Sequence, residues 1–114
     1  MIQHRSKIMW NLEQALKLIK ELEDSLSQFG VHCALAGSVL YRGTSENDLD
    51  LIIYPHKKKK DKSWNTYEVK KILKVFFKVP EIRDCGGVSQ IRDAKEVSWI
   101  EIEDGKRIDF FFLK

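Results

Sequence analysis

Two aspartates one residue apart, Asp48 and Asp50, open the apolar run Asp-Leu-Asp-Leu-Ile-Ile-Tyr. In a strand alternate side chains share a face, so both carboxylates project to one side while Leu49, Leu51 and Ile53 project to the other. Two ionised carboxylates so close repel each other. A divalent cation held by both removes the repulsion. Magnesium suits such a cradle, since it takes oxygen ligands, needs few protein carboxylates, and completes its shell with water and substrate phosphates. A third acid, Asp109, lies among Ile108, Phe110 and Phe112. An aspartate in so apolar a run is costly unless something pairs with it. One reading is a charge that keeps an edge strand from aggregating. The other is a third metal ligand. Three carboxylates on adjacent strands can hold two ions, an arrangement that positions an attacking oxygen and steadies a phosphoryl leaving group.

The complementary part is Gly37-Ser38, a short loop before the acidic pair. A glycine at a strand end lets the backbone approach a ligand closely. Free backbone N–H groups and a serine hydroxyl then hold phosphate oxygens. A Gly-Ser pair by itself says little; its weight comes from its distance to Asp-Leu-Asp.

The stretch Gly-Ser-Val-Leu-Tyr-Arg-Gly-Thr-Ser-Glu-Asn-Asp-Leu-Asp-Leu resembles the signature of the DNA polymerase beta-like nucleotidyltransferase superfamily. The small size points to its minimal nucleotidyltransferase branch. The resemblance spans roughly residues 31 to 113. It implies an α+β fold, a mixed twisted sheet backed by two or more helices, with two magnesium ions (manganese as a substitute) and a nucleoside triphosphate such as ATP. On this resemblance Asp48, Asp50 and Asp109 are the metal-binding and catalytic acids, while Gly37, Ser38 and Arg42 contact the triphosphate. Arg42-Gly43 stands slightly later than in many minimal members, and Asn47 takes the place of a serine. One ion would be held by all three acids and the other by Asp48 and Asp50. The implied activity is transfer of a nucleoside monophosphate to an acceptor hydroxyl on a protein, an RNA or a small molecule. A helical partner chain or self-association would then supply what reads the acceptor.

The elements that must position these groups are readable in part. Residues 11–30 form the first helix: Leu12, Leu16, Ile19, Leu22, Leu26 and Phe29 recur at three- and four-residue steps. Asn11 and Gln14 make a capping box, and Gly30 suits the left-handed position past the helix end. Val31–Ala36 reads as a buried strand, Val39–Tyr41 as one helical turn, and Asp48–Tyr54 as a second strand closed by Pro55. A second helix follows over residues 63–78, capped by Ser63 or Asn65, with Tyr67, Ile72, Val75 and Phe76 as its stripe. Short strands are expected near Glu81–Arg83 and Ser89–Ile91. Two alternating runs around Asp104-Gly105 predict a terminal hairpin, because both turn residues must tolerate positive φ.

The remaining composition bounds the rest. A chain of 114 residues, 43% hydrophobic and 32% charged, predicts one globular domain over 1–114 with residues 1–10 a flexible N-terminus. The net charge of +3 permits an anionic partner without demanding one. Two cysteines, Cys33 and Cys85, make neither a disulfide framework nor a zinc site. That cysteine usage leads to the expectation of a reducing, cytoplasmic setting; no run approaches a membrane span, and the first ten residues carry no apolar signal core. Lys57–Lys60 and Lys62 form a basic loop that could meet an acceptor nucleic acid, with Trp64 as a stacking or core residue. His4, His32 and His56 are scattered, and metal-assisted transfer needs no histidine base. Two rival readings stand beside the enzyme: an inactive nucleotide-binding or regulatory module of the same fold, and a basic RNA-binding domain.

Overall fold

The computed structural model describes residues 9–46, 48–56, 65–84, 94–102 and 105–113, with 94 and 95 by backbone alone. Asn47, the lysine loop with Ser63 and Trp64, Cys85, the strand expected near Ser89–Ile91, Asp104 and His4 lie outside the described residues.

Helix α1, Leu12–Ser27, begins where its sequence says it should. The Asn11 side chain accepts from the Gln14 N–H at 2.8 Å, and the Asn11 N–H donates to Gln14 Oε1 at 3.1 Å. Two orphan donors of the first turn are thereby satisfied. Asn11→Ala should cost about 1 kcal/mol of stability, read as a lower urea midpoint at unchanged slope. The helix ends at Ser27, and Gly30 takes φ 75° as the chain reverses into strand β2, Val31–Ala36.

The buried stripe of α1 is rotated from the expected one. Its axis passes through Ala15, Leu22 and Leu26, with Leu18 and Ile19 partly buried beside it. Leu16 lies about 100° round from Ala15 and is exposed, as are Leu12 in the first turn and Phe29 beyond the last. Helix α3, Thr66–Phe77, is capped by Asn65, whose side chain accepts from the Tyr67 N–H at 2.9 Å. Here too the inward residues are Val69 and Leu73, flanked by Ile72 and Phe76. Tyr67 and Val75 face solvent. Both apolar bands are wider than the face each helix buries, so spacing alone leaves the rotation open by most of a quarter turn.

Between β2 and α3 run helix α2, Gly37–Arg42, strand β3, Thr44–Ser45, and strand β4, Asp48–Pro55. After α3 come β5, Arg83–Asp84, β6, Ala94–Glu101, and β7, Arg107–Leu113. The main sheet has the order β2-β4-β7-β6-β5. Only β4 and β7 are parallel; the other three pairings are antiparallel. The expected terminal hairpin is β6–β7, with Gly105 at φ 74° in its turn. The architecture is therefore α+β with a mixed sheet backed by helices, as the sequence suggests.

One sheet face builds the core. Leu49, Leu51 and Ile53 of β4, Ile108, Phe110 and Phe112 of β7, and Ile100 of β6 are essentially inaccessible and cluster with the inward residues of α1 and α3. Each such side chain contributes about 1.5–3 kcal/mol of burial. Lys70 on α3 ties the far edge to this core. Its Nζ reaches Asp84 Oδ1 at 2.7 Å and Glu96 Oε2 at 2.5 Å, and the Ser98 hydroxyl donates to Asp84 at 2.7 Å. The Lys70 ammonium and the Ser98 hydroxyl hold the Asp84 carboxyl below its usual range.

A second, two-stranded ribbon escapes a reading by periodicity. Strand β1, Trp10–Asn11, pairs antiparallel with β3. Met9 and Trp10, expected within a flexible N-terminus, are buried in the core cluster. The Trp10 indole N–H donates to the Arg107 carbonyl at 3.2 Å, and the Leu12 N–H donates to the Gly43 carbonyl at 2.8 Å. These bonds pin the chain between α2 and β4 against the start of β7. Among the described residues no helix is long and apolar enough to cross a membrane.

Candidate active site

Because β4 and β7 are parallel and in register, Asp50 stands directly opposite Asp109. Asp48 is two residues earlier on the same face. Oxygens of all three carboxylates lie within 4.8 Å of one another. They sit on the face opposite the packed leucines and phenylalanines, at the end where β4 begins. Strand β7 lies between β4 and β6, so Asp109 is not on an edge, and guarding an edge against aggregation is not its role.

The cluster strains its own charges. Burial, then the neighbouring Asp48 carboxylate, pushes the Asp50 carboxyl up to about 6. Burial and a hydrogen bond with Asp48 push Asp109 up to about 7, against the pull of Arg107. Asp109 is 7% exposed. Burial and like charge thus disfavour the ionised forms of Asp50 and Asp109, a repulsion that a divalent cation would relieve.

Gly37 completes the enclosure. It opens α2 immediately after Ala36, the register partner of Asp50, and has φ 69°. A Cβ built on it would lie 1.9 Å from Asp50 Oδ2 and 2.8 Å from its Cγ. Only the absent side chain lets the turn press against the carboxylate. Ala36 at the N-cap offers no side-chain acceptor to the first-turn N–H groups of α2. Ser38 is exposed next to the turn, and exposed Arg42 closes the same helix at its far end. Arg42 is not part of the acidic cluster.

One participant escapes the sequence reading. Arg107, two residues before Asp109 on the same face, donates from Nε to Asp109 Oδ1 at 2.8 Å. Its guanidinium carbon lies 4.3 Å from the Trp99 ring centroid, and that of Arg83 lies 5.2 Å away. Trp99 is the register partner of both Asp109 and Arg83. A row Arg83–Trp99–Asp109–Asp50–Ala36 therefore crosses the sheet, cationic and aromatic at one end and acidic in the middle. The signal was available: the two-residue alternation that sets Asp48 beside Asp50 also sets Arg107 beside Asp109.

No protein-family model matches the chain, and no curated protein matches it. Its structure is similar to that of the polymerase core of TRAMP, an RNA surveillance complex, with a TM-score of 0.59 at 16% sequence identity. The likeness covers 90% of this chain and 32% of the other, so the chain spans about a third of the matched polymerase's length. At that identity the likeness shows the fold alone: an α+β domain with a mixed sheet backed by helices, shared with that polymerase core.

Proposed function

We propose that this chain is a magnesium-dependent nucleotidyltransferase domain of the minimal branch, moving a nucleoside monophosphate from a triphosphate to an acceptor hydroxyl. The observation that carries the reading is the convergence of Asp48, Asp50 and Asp109, from two parallel strands, on one point walled by Gly37. An all-oxygen, all-carboxylate donor set beside a backbone turn fits hard divalent ions better than zinc or copper. Asp48, Asp50 and Asp109 would hold them. Bound there, such ions offset the charge on phosphate oxygens and lower the pKa of a bound hydroxyl.

The chain's own residues do the rest. Ser38 and the uncapped N–H groups of α2 face the triphosphate oxygens, with Arg42 a further cation on that helix. In the transfer a bond forms between the acceptor oxygen and the α-phosphorus as the bridge to the β-phosphate breaks. Pyrophosphate leaves, and the proton of the hydroxyl passes to solvent water. Arg107 keeps Asp109 oriented. The covered inner face of the sheet keeps the strands, and so the carboxylates, from shifting relative to one another.

Incubation with each labelled triphosphate and magnesium, scored for pyrophosphate and for label on protein or RNA, tests this directly. Turnover should appear with wild type and fall by at least about 100-fold in Asp48→Ala and Asp50→Ala. Triphosphate binding without turnover would instead identify a regulatory module. Salt-sensitive RNA binding that survives both changes but not loss of Lys57–Lys60 would identify an RNA-binding domain.

A further inference from the structure

At the opposite end of β2 and β4 two imidazoles meet. His32 Nε2 and His56 Nδ1 are 3.0 Å apart. The other ring nitrogen of His32 is hydrogen-bonded to Glu23 Oε1 on α1. The second oxygen of Glu23 accepts from the Cys33 N–H at 3.0 Å, which fixes the carboxylate. His32 Nδ1–H donates to the carboxylate partner, which leaves Nε2 with its lone pair outward. The backbones are equally fixed. His32 is paired with Tyr54 in the sheet, its ring 5.5 Å from the tyrosine's, and the His56 N–H donates to the Gly30 carbonyl at 2.8 Å. The His56 side chain itself is exposed.

We propose that His32 Nε2 and His56 Nδ1 form a binding site for an imidazole-seeking transition-metal ion of the Cu2+, Ni2+ and Zn2+ class, with Glu23 as the outer carboxylate that orients the first ligand. Imidazole nitrogens bind such ions at about 2.0–2.1 Å. Two ligands at a right angle are then about 2.9 Å apart, close to the separation already present. The ring centroids are 5.3 Å apart with the rings tilted by 47°, and with His32 Nδ1–H donating to Glu23 the His56 Nδ1–H donates to His32 Nε2. The ion displaces that proton, which passes through solvent to His56 Nε2 and leaves the two facing nitrogens as ligands. Remaining positions are open to water. Magnesium, which wants oxygen, is excluded here. The site is separate from the acidic centre: the six residues from Asp50 to His56 span about 20 Å of extended strand. A bound ion would cross-link β2 to the end of β4 beneath α1.

The test is Cu2+ titration of the tag-free full chain in excess Mg2+, which occupies the acidic centre and is silent in electron paramagnetic resonance. One Cu2+ per chain with splitting from two nitrogens is expected, together with a rise in melting temperature. His56→Ala and His32→Gln should each abolish the two-nitrogen signal. Glu23→Gln should keep it while weakening affinity about 10- to 100-fold. His4→Ala should change nothing. The proposal fails if His56→Ala, folded by circular dichroism, binds Cu2+ with the wild-type spectrum and affinity, or if His4→Ala removes the signal.

Discussion

Replacing Gly37 by alanine should cut the proposed nucleotidyl transfer by at least about 100-fold and divalent-ion affinity with it. The new methyl carbon would occupy a point 1.9 Å from Asp50 Oδ2, far inside contact distance. One of the two must move. The turn is held by α2 and by the β2–β4 ladder, so Asp50 is the group that turns out of the cluster. Loss of an acid by rotation is then equivalent to losing it by mutation. Backbone strain adds to this, since a non-glycine residue at φ 69° costs about 1–2 kcal/mol. Gly43→Ala separates the two effects. Gly43 has φ 81°, yet a Cβ there meets nothing within 4 Å. It should lose comparable stability while keeping ion binding and turnover. Calorimetry with Mn2+ reads the first quantity for both variants, and pyrophosphate release the second. Wild-type Mn2+ affinity in Gly37→Ala would mean that Asp50 is not held by this turn.

The same contrast shows why some of the molecule was legible and some not. The capping box of α1, the Asp-Leu-Asp strand and the β6–β7 hairpin are written in neighbouring residues, and local chemistry forces them. The helix stripes are less legible because both bands carry more apolar residues than one face can bury. Tyr67 and Val75 look identical in pattern to Val69 and Leu73 until the sheet decides which side it takes. The two-residue strands β1 and β3 are too short for any periodicity, and only the burial of Trp10 reveals them. Adjacency of β4 and β7 is long-range, so the meeting of Asp50 with Asp109 was an expectation resting on a resemblance, while Asp48 beside Asp50 followed from strand geometry alone. The His32–His56 contact is equally non-local: it exists because the antiparallel register sets His32 opposite Tyr54, two residues short of His56.

Substituting the acids should stabilise the metal-free fold even as it destroys the site. Asp50 and Asp109 are raised to about 6 and about 7, above the unfolded value of about 3.9. Between these limits the folded chain binds more protons than the unfolded one, so stability falls as pH rises from about 4 to about 7 and is level beyond it. Asp50→Asn and Asp109→Asn remove the repulsion without changing shape, and in the second the amide oxygen can still accept from Arg107. At pH 8, without metal, we expect each variant to gain about 1–3 kcal/mol, a value reduced from the full shift because water screens this open face. That corresponds to roughly 4–8 °C in melting temperature per kcal/mol. Added Mg2+ or Mn2+ should reverse the order. Wild type would gain about 2.7 kcal/mol at a hundred-fold excess over its dissociation constant, and more at pH 8 than at pH 5, where protons compete for the same oxygens. The variants should gain little at either pH. Melting curves at pH 5 and pH 8, with and without the ion, decide the matter: a wild-type stability that is flat across that range, or asparagine variants that melt lower than wild type at pH 8, would show that the three carboxylates carry no mutual repulsion for a cation to relieve.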